Sequence, residues 1–122
     1  MFNIRRQKHD WLVTAGIVVV LVSLYGTMIF EQRTRIREEA LMYELLSLRY
    51  AVTIFNFTNG RNPENLQELL EKGFVDFKGN PKKYIPQNIA ARKGLVDPFG
   101  NPYSYDKEGG WIRTSTEEYN WW

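Results

Sequence analysis

The chain of 122 residues has no cysteine and a single histidine, His9. Because cysteine is absent, no disulfide bond and no thiolate metal site can form. One imidazole, in an N-terminal basic stretch, excludes a histidine-rich metal site and a Ser-His-Asp triad with a core histidine. No acid/base pair, nucleophile motif or phosphate-binding loop is present either. We therefore expect a protein that is not an enzyme and that holds no metal and no cofactor.

A strong excess of charge is also missing. The formal net charge is +2, which gives no reason to expect a polyanionic partner. The segment "PKKYIPQNIAARK", residues 81–93, has four basic residues around one tyrosine. This pattern is more typical of a solvated loop than of a basic, aromatic surface for nucleic acid. We expect no nucleic-acid partner.

Charged residues are absent from "WLVTAGIVVVLVSLYGTMIF", residues 11–30. About 20 apolar residues in a helix span a hydrocarbon core of about 30 Å. Thr14, Ser23 and Thr27 can return their hydroxyls to the helix backbone, so they do not prevent insertion. A cleavable signal peptide would have an apolar region of roughly 7–15 residues and a small-x-small site. This stretch is longer and lacks that site, so a transmembrane signal anchor is the better prediction.

The charges beside this stretch do not orient it. Three basic residues precede it and three follow it: Arg5, Arg6 and Lys8, then Arg33, Arg35 and Arg37. The positive-inside comparison is therefore nearly a tie.

Proline is absent between the start of the apolar stretch and Pro63, and the intervening residues are good helix formers. We predict one continuous helix over residues 11–57, which at about 1.5 Å per residue is on the order of 70 Å long. A bilayer needs only part of that length, so about half of the helix must project into water.

The projecting half has two apolar stripes at helical spacing. The first stripe is Leu41, Leu45, Leu48, Val52 and Phe55. The second stripe, on the opposite side, is Tyr43, Leu46, Tyr50, Ile54 and Phe57. One small head domain covers one side of a helix, so the second stripe predicts packing against another subunit. The alternative is that the head wraps most of the helix. The pattern does not say which stripe faces the head.

After the long helix, we predict a short helix over residues 63–72, with Asn62 as its N-cap, Pro63 at its first position and Gly73 just beyond it at positive φ. "KGNPKKYIPQNIAARKG", residues 78–94, reads as a loop. "YSYDKEGGWIRTST" predicts a β-hairpin that turns at "EGG". The final "EEYNWW" is a third short strand or an aromatic tail, and its two glutamates look solvated.

The stretch "DPFGNPYSY", residues 97–105, has a dense pattern of proline, glycine and aromatic residues. It resembles the Asp-Pro-Trp-Gly-Asn-Pro-Tyr-x-Tyr segment of type IV pilin-like proteins, with Phe99 in place of Trp. "NGRNP", residues 59–63, resembles their Asn-Gly-x-x-Pro turn after the long helix. The likeness covers nearly the whole chain and is closest to the major pseudopilins of type II secretion systems.

The stretch also has a physical role that the residue types predict. The structural corner consists of Asp97, Pro98, Gly100, Asn101 and Pro102. The prolines fix φ and favour extended conformations before them, and the glycine permits a turn that a Cβ would obstruct. The aspartate can accept bonds from nearby backbone N–H groups. Such a corner sets the angle at which the hairpin leaves for the long helix.

The resemblance implies an α+β fold in which a long N-terminal helix packs on a small antiparallel sheet. It implies three parts: a cytoplasmic basic segment 1–10, a transmembrane helix 11–30 and a head 31–122 outside the cytoplasm. It also implies a single-pass protein of the inner membrane whose partners are the lipid bilayer and other pilin-like subunits. The expected function is a structural subunit or accessory component of a type II secretion or type IV pilus-like filament.

Two departures from the family keep an alternative open. Prepilins have a Gly before the peptidase cut and a Glu five residues after it, whereas here the first glycine is Gly16 and no acidic residue lies between Asp10 and Glu31. We therefore expect no processing, which favours a membrane protein whose pilin-like head binds a partner without entering a filament. The family's acidic calcium loop is also missing, because "STEEYNWW" falls short of the 6–8 oxygen ligands that calcium prefers. We expect no calcium.

Overall fold

The computed structural model describes the backbone of residues 4–92 and 94–122 and the side chains from Asp10 onward, Lys93 excepted. Most of the expected basic segment 1–10, including the side chain of His9, therefore lies outside the described side chains. The chain divides into two compact units, residues 1–36 and residues 37–122.

One α-helix, α1, runs from Ile4 to Asn59 without a break. The prediction of a continuous helix is confirmed, and the helix begins before residue 11 and ends two residues after 57. Gly60, which follows it, has a φ of +69° and donates its N–H to the Asn56 carbonyl at 2.8 Å. A residue with positive φ is the usual way to end an α-helix, and glycine adopts it without steric cost.

The described residues of the first unit, 4–36, are all helical. None of its described side chains, from Asp10 to Ile36, is buried. The hydroxyls of Thr14, Ser23 and Thr27 donate to the carbonyls of Asp10, Val19 and Leu24 at 2.8–2.9 Å, as expected from the sequence. α1 contains one stretch that is long and apolar enough to cross a membrane.

The second unit contains the remaining elements around the end of α1. In chain order they are α2 (Leu66–Glu71), β1 (Gly73–Val75), β2 (Pro81–Lys83), α3 (Gln87–Ala90), β3 (Tyr103–Asp106) and β4 (Trp111–Thr114), followed by a 3-10 turn at Glu117–Tyr119. The strands form two antiparallel pairs, β1 with β2 and β3 with β4. The α+β, pilin-like class predicted from the sequence is confirmed.

Helix α2 begins three residues later than the prediction of residues 63–72. Its N-cap is Asn65, whose Oδ1 accepts from the Glu68 N–H at 3.0 Å. Asn62 has a tertiary role instead, since its Nδ2 donates to the carbonyls of Lys107 and Glu108. The prediction of Asn62 as the N-cap was therefore wrong, because its side chain is engaged in this tertiary contact.

The prediction that Gly73 has a positive φ just beyond the short helix was also wrong. Gly73 is the first residue of β1 and is not among the residues with positive φ. A Cβ at this position would lie 2.7 Å from the Lys82 carbonyl oxygen. Glycine is needed here because the two strands approach closely, and close backbone approach is one of the standard uses of glycine.

The predicted loop over residues 78–94 contains regular structure. Its first part closes the β1–β2 hairpin, in which Phe74 pairs with Lys82, and its middle forms α3. Both elements are only three or four residues long, which is too short for a periodic sequence pattern to emerge. The last six residues do not form a third strand, because Glu117–Tyr119 make a 3-10 turn, and the alternative of an aromatic tail is the one that holds.

The predicted second hairpin is confirmed. Tyr103 pairs with Thr114 and Tyr105 with Ile112, so these four side chains share one face. Tyr103, Ile112 and Thr114 on that face are buried. The turn contains Gly110 at a φ of +69°.

Candidate assembly surface

The first apolar stripe of α1 is the core of the head. Leu41, Leu48 and Phe55 are fully buried. Leu45 and Val52 are 2% and 4% exposed, respectively. Around them pack residues from most of the later elements, including Leu69 of α2, Ile89 of α3 and Ile112 of β4. The structure therefore decides which stripe faces the head.

The second stripe lies on the surface of the head. Tyr43, Leu46, Tyr50 and Phe57 are 57%, 60%, 67% and 88% exposed. Ile54 differs from them because it is half-buried and packs against the core. Met42, 52% exposed, lies beside the stripe. We name Tyr43, Leu46, Tyr50 and Phe57 the exposed stripe. The alternative that the head wraps the helix does not hold for these four residues.

A buried carboxylate fixes how α1 sits on the head. Glu44 is only 3% exposed, and its two oxygens meet the guanidinium of Arg92 at 2.8 and 2.9 Å. The Tyr103 hydroxyl donates to the same carboxylate at 2.7 Å. Burial, and then the bond to Glu44, raises the pKa of Tyr103 far above its usual value. A half-turn of α1 would leave this charge without partners, so the cluster determines which face of the helix remains exposed.

Arg49 connects α1 to the last residues of the sequence. Its guanidinium donates to the carbonyl of Ile112 at 2.9 and 3.1 Å, and to the backbone oxygen of Trp122. Tyr119 adds a second tie, since its hydroxyl donates to Glu38 at 2.6 Å. That hydrogen bond, together with burial, raises the pKa of Tyr119 to about 12. The final residues are therefore docked on α1.

Asp97 organises the structural corner. It is 2% exposed, and its Oδ1 accepts from the N–H groups of Phe99 and Asn101 at 2.9 Å. Its Oδ2 accepts from the hydroxyls of Thr114 and Thr116. Burial alone would raise the pKa of Asp97, but these four donors outweigh it and hold the pKa below its usual value. The carboxylate thus links the corner to the end of β4.

The other corner residues shape the turn. Gly100 has a φ of +92°, a conformation that residues with a Cβ rarely adopt, and it donates to the Asp97 carbonyl at 3.0 Å. Asn101 donates through Nδ2 to the Thr116 hydroxyl at 2.8 Å. Pro102 bridges to Val96 and accepts the Ser115 N–H at 3.3 Å, and Pro98 is half-buried in the turn. All five predicted corner residues are therefore brought together.

The structure contains the long helix, the turn that follows it and the corner that precedes the β3–β4 hairpin. The family model described as "Type II secretion system (T2SS), protein G" matches residues 28–115. The chain belongs to this family. The match covers more than half of the chain and includes the whole corner and the β3–β4 hairpin. No curated protein and no solved structure shows significant similarity to it.

This pseudopilin-family protein shows no candidate metal centre in the part of the chain that the structure describes. No three histidine, aspartate or glutamate side chains of that part come together in a way that could hold an ion. The buried acidic groups already have protein partners: Arg92 and Tyr103 for Glu44, and four donors for Asp97. The arrangement is suited to fixing a shape and presenting a surface.

A groove opens beside the exposed stripe. It has a volume of about 440 Å³ and is lined by Met42, Leu45, Leu46, Arg49, Trp121 and Trp122. Trp121 is 75% exposed, and its ring stands at 90° to that of Trp122 with centroids 5.8 Å apart. The sequence analysis did not find this groove. The only signal for it was the pair of tryptophans at the end of an otherwise polar tail.

Proposed function

We propose that the protein is a structural subunit or accessory component of a type II secretion or pilus-like filament, anchored in the inner membrane by residues 11–30. The family supports a role in type II secretion. The observation that carries the finer proposal is the exposed stripe. Its four large side chains are more than half exposed on a helix whose opposite side is the fully packed core.

An apolar stripe of this kind calls for a partner when the head is in water. The hydrophobic effect is worth roughly 25 cal/mol for each Å² of apolar surface that is buried. Contiguous exposed apolar patches on soluble domains commonly mark interaction sites. Tyrosines at positions 43 and 50 also suit an interface, because tyrosine adds a hydrogen-bonding hydroxyl to a large apolar area. Packing of another pilin-like subunit against the exposed stripe would bury all four side chains at once.

The test compares two aspartate substitutions in the head. Tyr50→Asp places a charge in the proposed interface, and Asn88→Asp places the same charge at an exposed position of α3, outside the exposed stripe. We expect Tyr50→Asp to lose crosslinks between full-length subunits in membranes while the detergent-extracted protein keeps its melting temperature. Asn88→Asp should keep both. Equal crosslinking of the two variants would contradict the proposal.

The missing Gly and Glu of the processing motif favour a second function, in which the head binds a partner outside the cytoplasm without entering a filament. An intact mass measured on membrane-extracted protein, together with its oligomeric state in mild detergent, separates the two. An uncleaved monomer would favour the second function. Loss of about nine residues by prepilin peptidase, or a higher oligomer, would favour the filament.

We further propose the orientation of other pilin-like proteins, with residues 1–10 in the cytoplasm and residues 31–122 outside. The chain has no native cysteine, so single cysteines at Asn3 and Lys107 report cleanly on topology. On intact spheroplasts, an impermeant thiol reagent should label position 107 and spare position 3. The reverse pattern would overturn the orientation.

A further inference from the structure

A second exposed apolar feature lies on the β1–β2 hairpin. Phe77 is 96% exposed, the most exposed of the large hydrophobic side chains in the described part of the chain. It lies in the turn between β1 and β2, and Val75 beside it is 66% exposed. Isolated exposed apolar residues are common, but this one is a whole aromatic ring held away from the domain.

The turn that presents Phe77 is rigidly held. The Asp76 carboxylate accepts from the N–H groups of Lys78 and Asn80 at 2.9 Å, and the Gly79 N–H donates to the Asp76 carbonyl at 2.9 Å. Gly79 has a φ of +83°. The hairpin is anchored in turn by Phe74, whose ring lies 5.0 Å from that of Tyr84. Because the loop is already ordered, docking its tip would cost little conformational entropy.

We propose that Phe77 of one copy inserts into the groove of Met42, Leu46, Trp121 and Trp122 on a second copy. This inference rests on the proposed function and names one contact within the assembly. A groove of about 440 Å³ accommodates one phenyl ring, and the two tryptophans offer edges and faces for aromatic packing. Leu46 belongs both to the groove and to the exposed stripe, so the two surfaces form one continuous interface.

The charges around the two surfaces are complementary. The hairpin carries Lys78, Lys82 and Lys83 against one acidic residue, Asp76. The tail beside the groove, residues 117–122, carries Glu117 and Glu118 and no basic residue. Arg49 in the groove wall is turned to the backbone oxygens of Ile112 and Trp122, to which its guanidinium donates. All three lysines and both glutamates are exposed. Opposite potentials of this kind orient two surfaces as they meet. They favour a contact between the hairpin of one copy and the tail of another over a contact between two hairpins.

The contact would repeat without closing on itself. Hairpin and groove are different patches of the same chain, so a copy that donates Phe77 still has an empty groove for the next copy. Phe74 of the hairpin packs on Tyr84, and Tyr84 packs on Phe55. Phe55 lies about ten residues or about 15 Å further along α1 than the groove residue Leu45. A heterologous contact with such an offset generates an extended row of subunits, whereas pairing of two exposed stripes would generate a closed dimer.

The experiment uses full-length protein in membranes and exploits the absence of native cysteine. One copy carries Asn80→Cys beside Phe77, a second carries Asn120→Cys beside Trp121, and a short bismaleimide links them. Both asparagines are exposed, and all three hairpin lysines remain. We expect 80–120 crosslinks to exceed 80–80 and 120–120 crosslinks. An Asn80→Cys copy mixed with a Ser104→Cys copy is the control and should not link.

A second variant tests the ring itself. Adding Phe77→Ser to the crosslinking pair should lower the 80–120 yield roughly tenfold, as when an aromatic anchor is truncated, without lowering the melting temperature. Val75→Ser on the same hairpin is the matched control and should preserve the yield. Unchanged crosslinking after Phe77→Ser, or predominant 80–80 or 120–120 links, would overturn the proposal.

The outcomes also separate this inference from the proposed function. If Tyr50→Asp disrupts subunit contacts but the 80–120 pair does not link, the exposed stripe is an interface and the hairpin contact is wrong. If neither experiment detects contacts between subunits, both proposals fail.

Discussion

The two ends of α1 present apolar side chains for different reasons. In residues 11–30 the apolar side chains lie all round the helix, and none of them is buried. In residues 37–59 they are divided into a fully buried stripe and the exposed stripe. A helix that is apolar all round is suited to lipid, whereas a helix with a packed side is suited to water and a folded domain. The exposed stripe is the exception within the second region.

The exposed fraction of a side chain has to be interpreted together with the residues around it. The side chain of Val22 is 66% exposed and that of Tyr50 is 67% exposed, so exposure alone does not distinguish them. What distinguishes them is the set of neighbours. Val22 has no charged residue within several positions, while Tyr50 is preceded by Arg49, whose guanidinium reaches the carbonyl of Ile112. The surroundings of Tyr50 therefore indicate a face of the helix that lies in water.

The largest expected effect concerns the buried stripe. Leu48→Asp places an unpaired carboxylate at a fully buried position. Such burial costs several kcal/mol, and a domain of this size holds only about 5–15 kcal/mol in total. We expect the head to lose its cooperative melting transition, followed by tryptophan fluorescence of the detergent-extracted protein.

Leu46→Asp is the matched control, since Leu46 lies two residues away and is 60% exposed. It should change the free energy of unfolding by less than about 0.5 kcal/mol, as is usual for surface substitutions. If both substitutions unfolded the head to the same extent, the exposed stripe would belong to the core and the argument for assembly would fail.

The next effect concerns the buried charge on the same helix. Glu44→Gln keeps the shape of the side chain but removes the charge that meets Arg92 and the oxygen pair that accepts from both partners. A buried group left with unsatisfied partners costs about 1–3 kcal/mol, so we expect a lower melting temperature. Glu39→Gln, at an exposed position on the same helix, should leave it unchanged. Equal melting of the two variants would show that the cluster adds no stability.

Much of this fold could be predicted because its signals are long or distinctive. A stretch of twenty uncharged residues, a helix without proline and two stripes at helical spacing each involve many residues. The corner could be predicted because Asp97, Gly100 and Pro102 are chemically specialised residues at fixed spacing. The face of α1 that packs the head was not predicted, since both stripes are continuous and consist of large side chains, although the two tyrosines make the second stripe the less apolar one. Glu44 decides it, and a lone glutamate on a helix has the pattern of a solvated residue.

The features that sequence analysis missed depend on contacts between distant residues. The β1–β2 hairpin is short, and its one diagnostic residue, Gly73, was assigned a cap role instead. The groove forms only when Trp121 and Trp122 fold back on α1, at a separation of more than seventy residues from Arg49. Asn62 was placed at the start of a helix because its bonds to Lys107 and Glu108 cannot be read from local sequence.

A smaller effect concerns the corner and depends on pH. The pKa of Asp97 is lower in the folded protein than in the unfolded chain, so its contribution to stability is present above its unfolded pKa and is lost as the pH falls through its folded pKa. Asp97→Asn should remove this part of the acid dependence and destabilise the head at neutral pH by about 1–3 kcal/mol. Urea melts at neutral pH and at acidic pH measure both effects. A variant that lost the same stability at every pH would show that the charge of Asp97 is not involved.

The smallest expected effect concerns the ion pairs around Glu68 of α2, whose partners Arg61 and Lys72 lie over the Phe55 ring at 5.3 and 5.8 Å. The guanidinium of Arg61 lies 2.5 Å from Glu68, the ammonium of Lys72 lies 2.6 Å from it, and the Glu64 N–H donates to it at 2.7 Å. These three groups, Arg61 first, lower the pKa of Glu68 to about 2. A lowered pKa stabilises the fold above the unfolded value and the contribution disappears as the pH falls towards 2.

Because Arg61 and Lys72 are 44% and 51% exposed, salt screens their attraction to Glu68 and the net contribution of these pairs is small. We therefore expect Glu68→Gln to lower the melting temperature at neutral pH by less than Asp97→Asn does, and to lose most of that difference in high salt. Glu71→Gln is the control, since Glu71 is exposed on the same helix and its side chain accepts only from Gln67, at 3.3 Å. It should melt like the parent protein. A Glu68 effect that persisted in high salt and exceeded that of Asp97 would show that the surface of α2, and not the buried corner, is the stronger electrostatic support of the head.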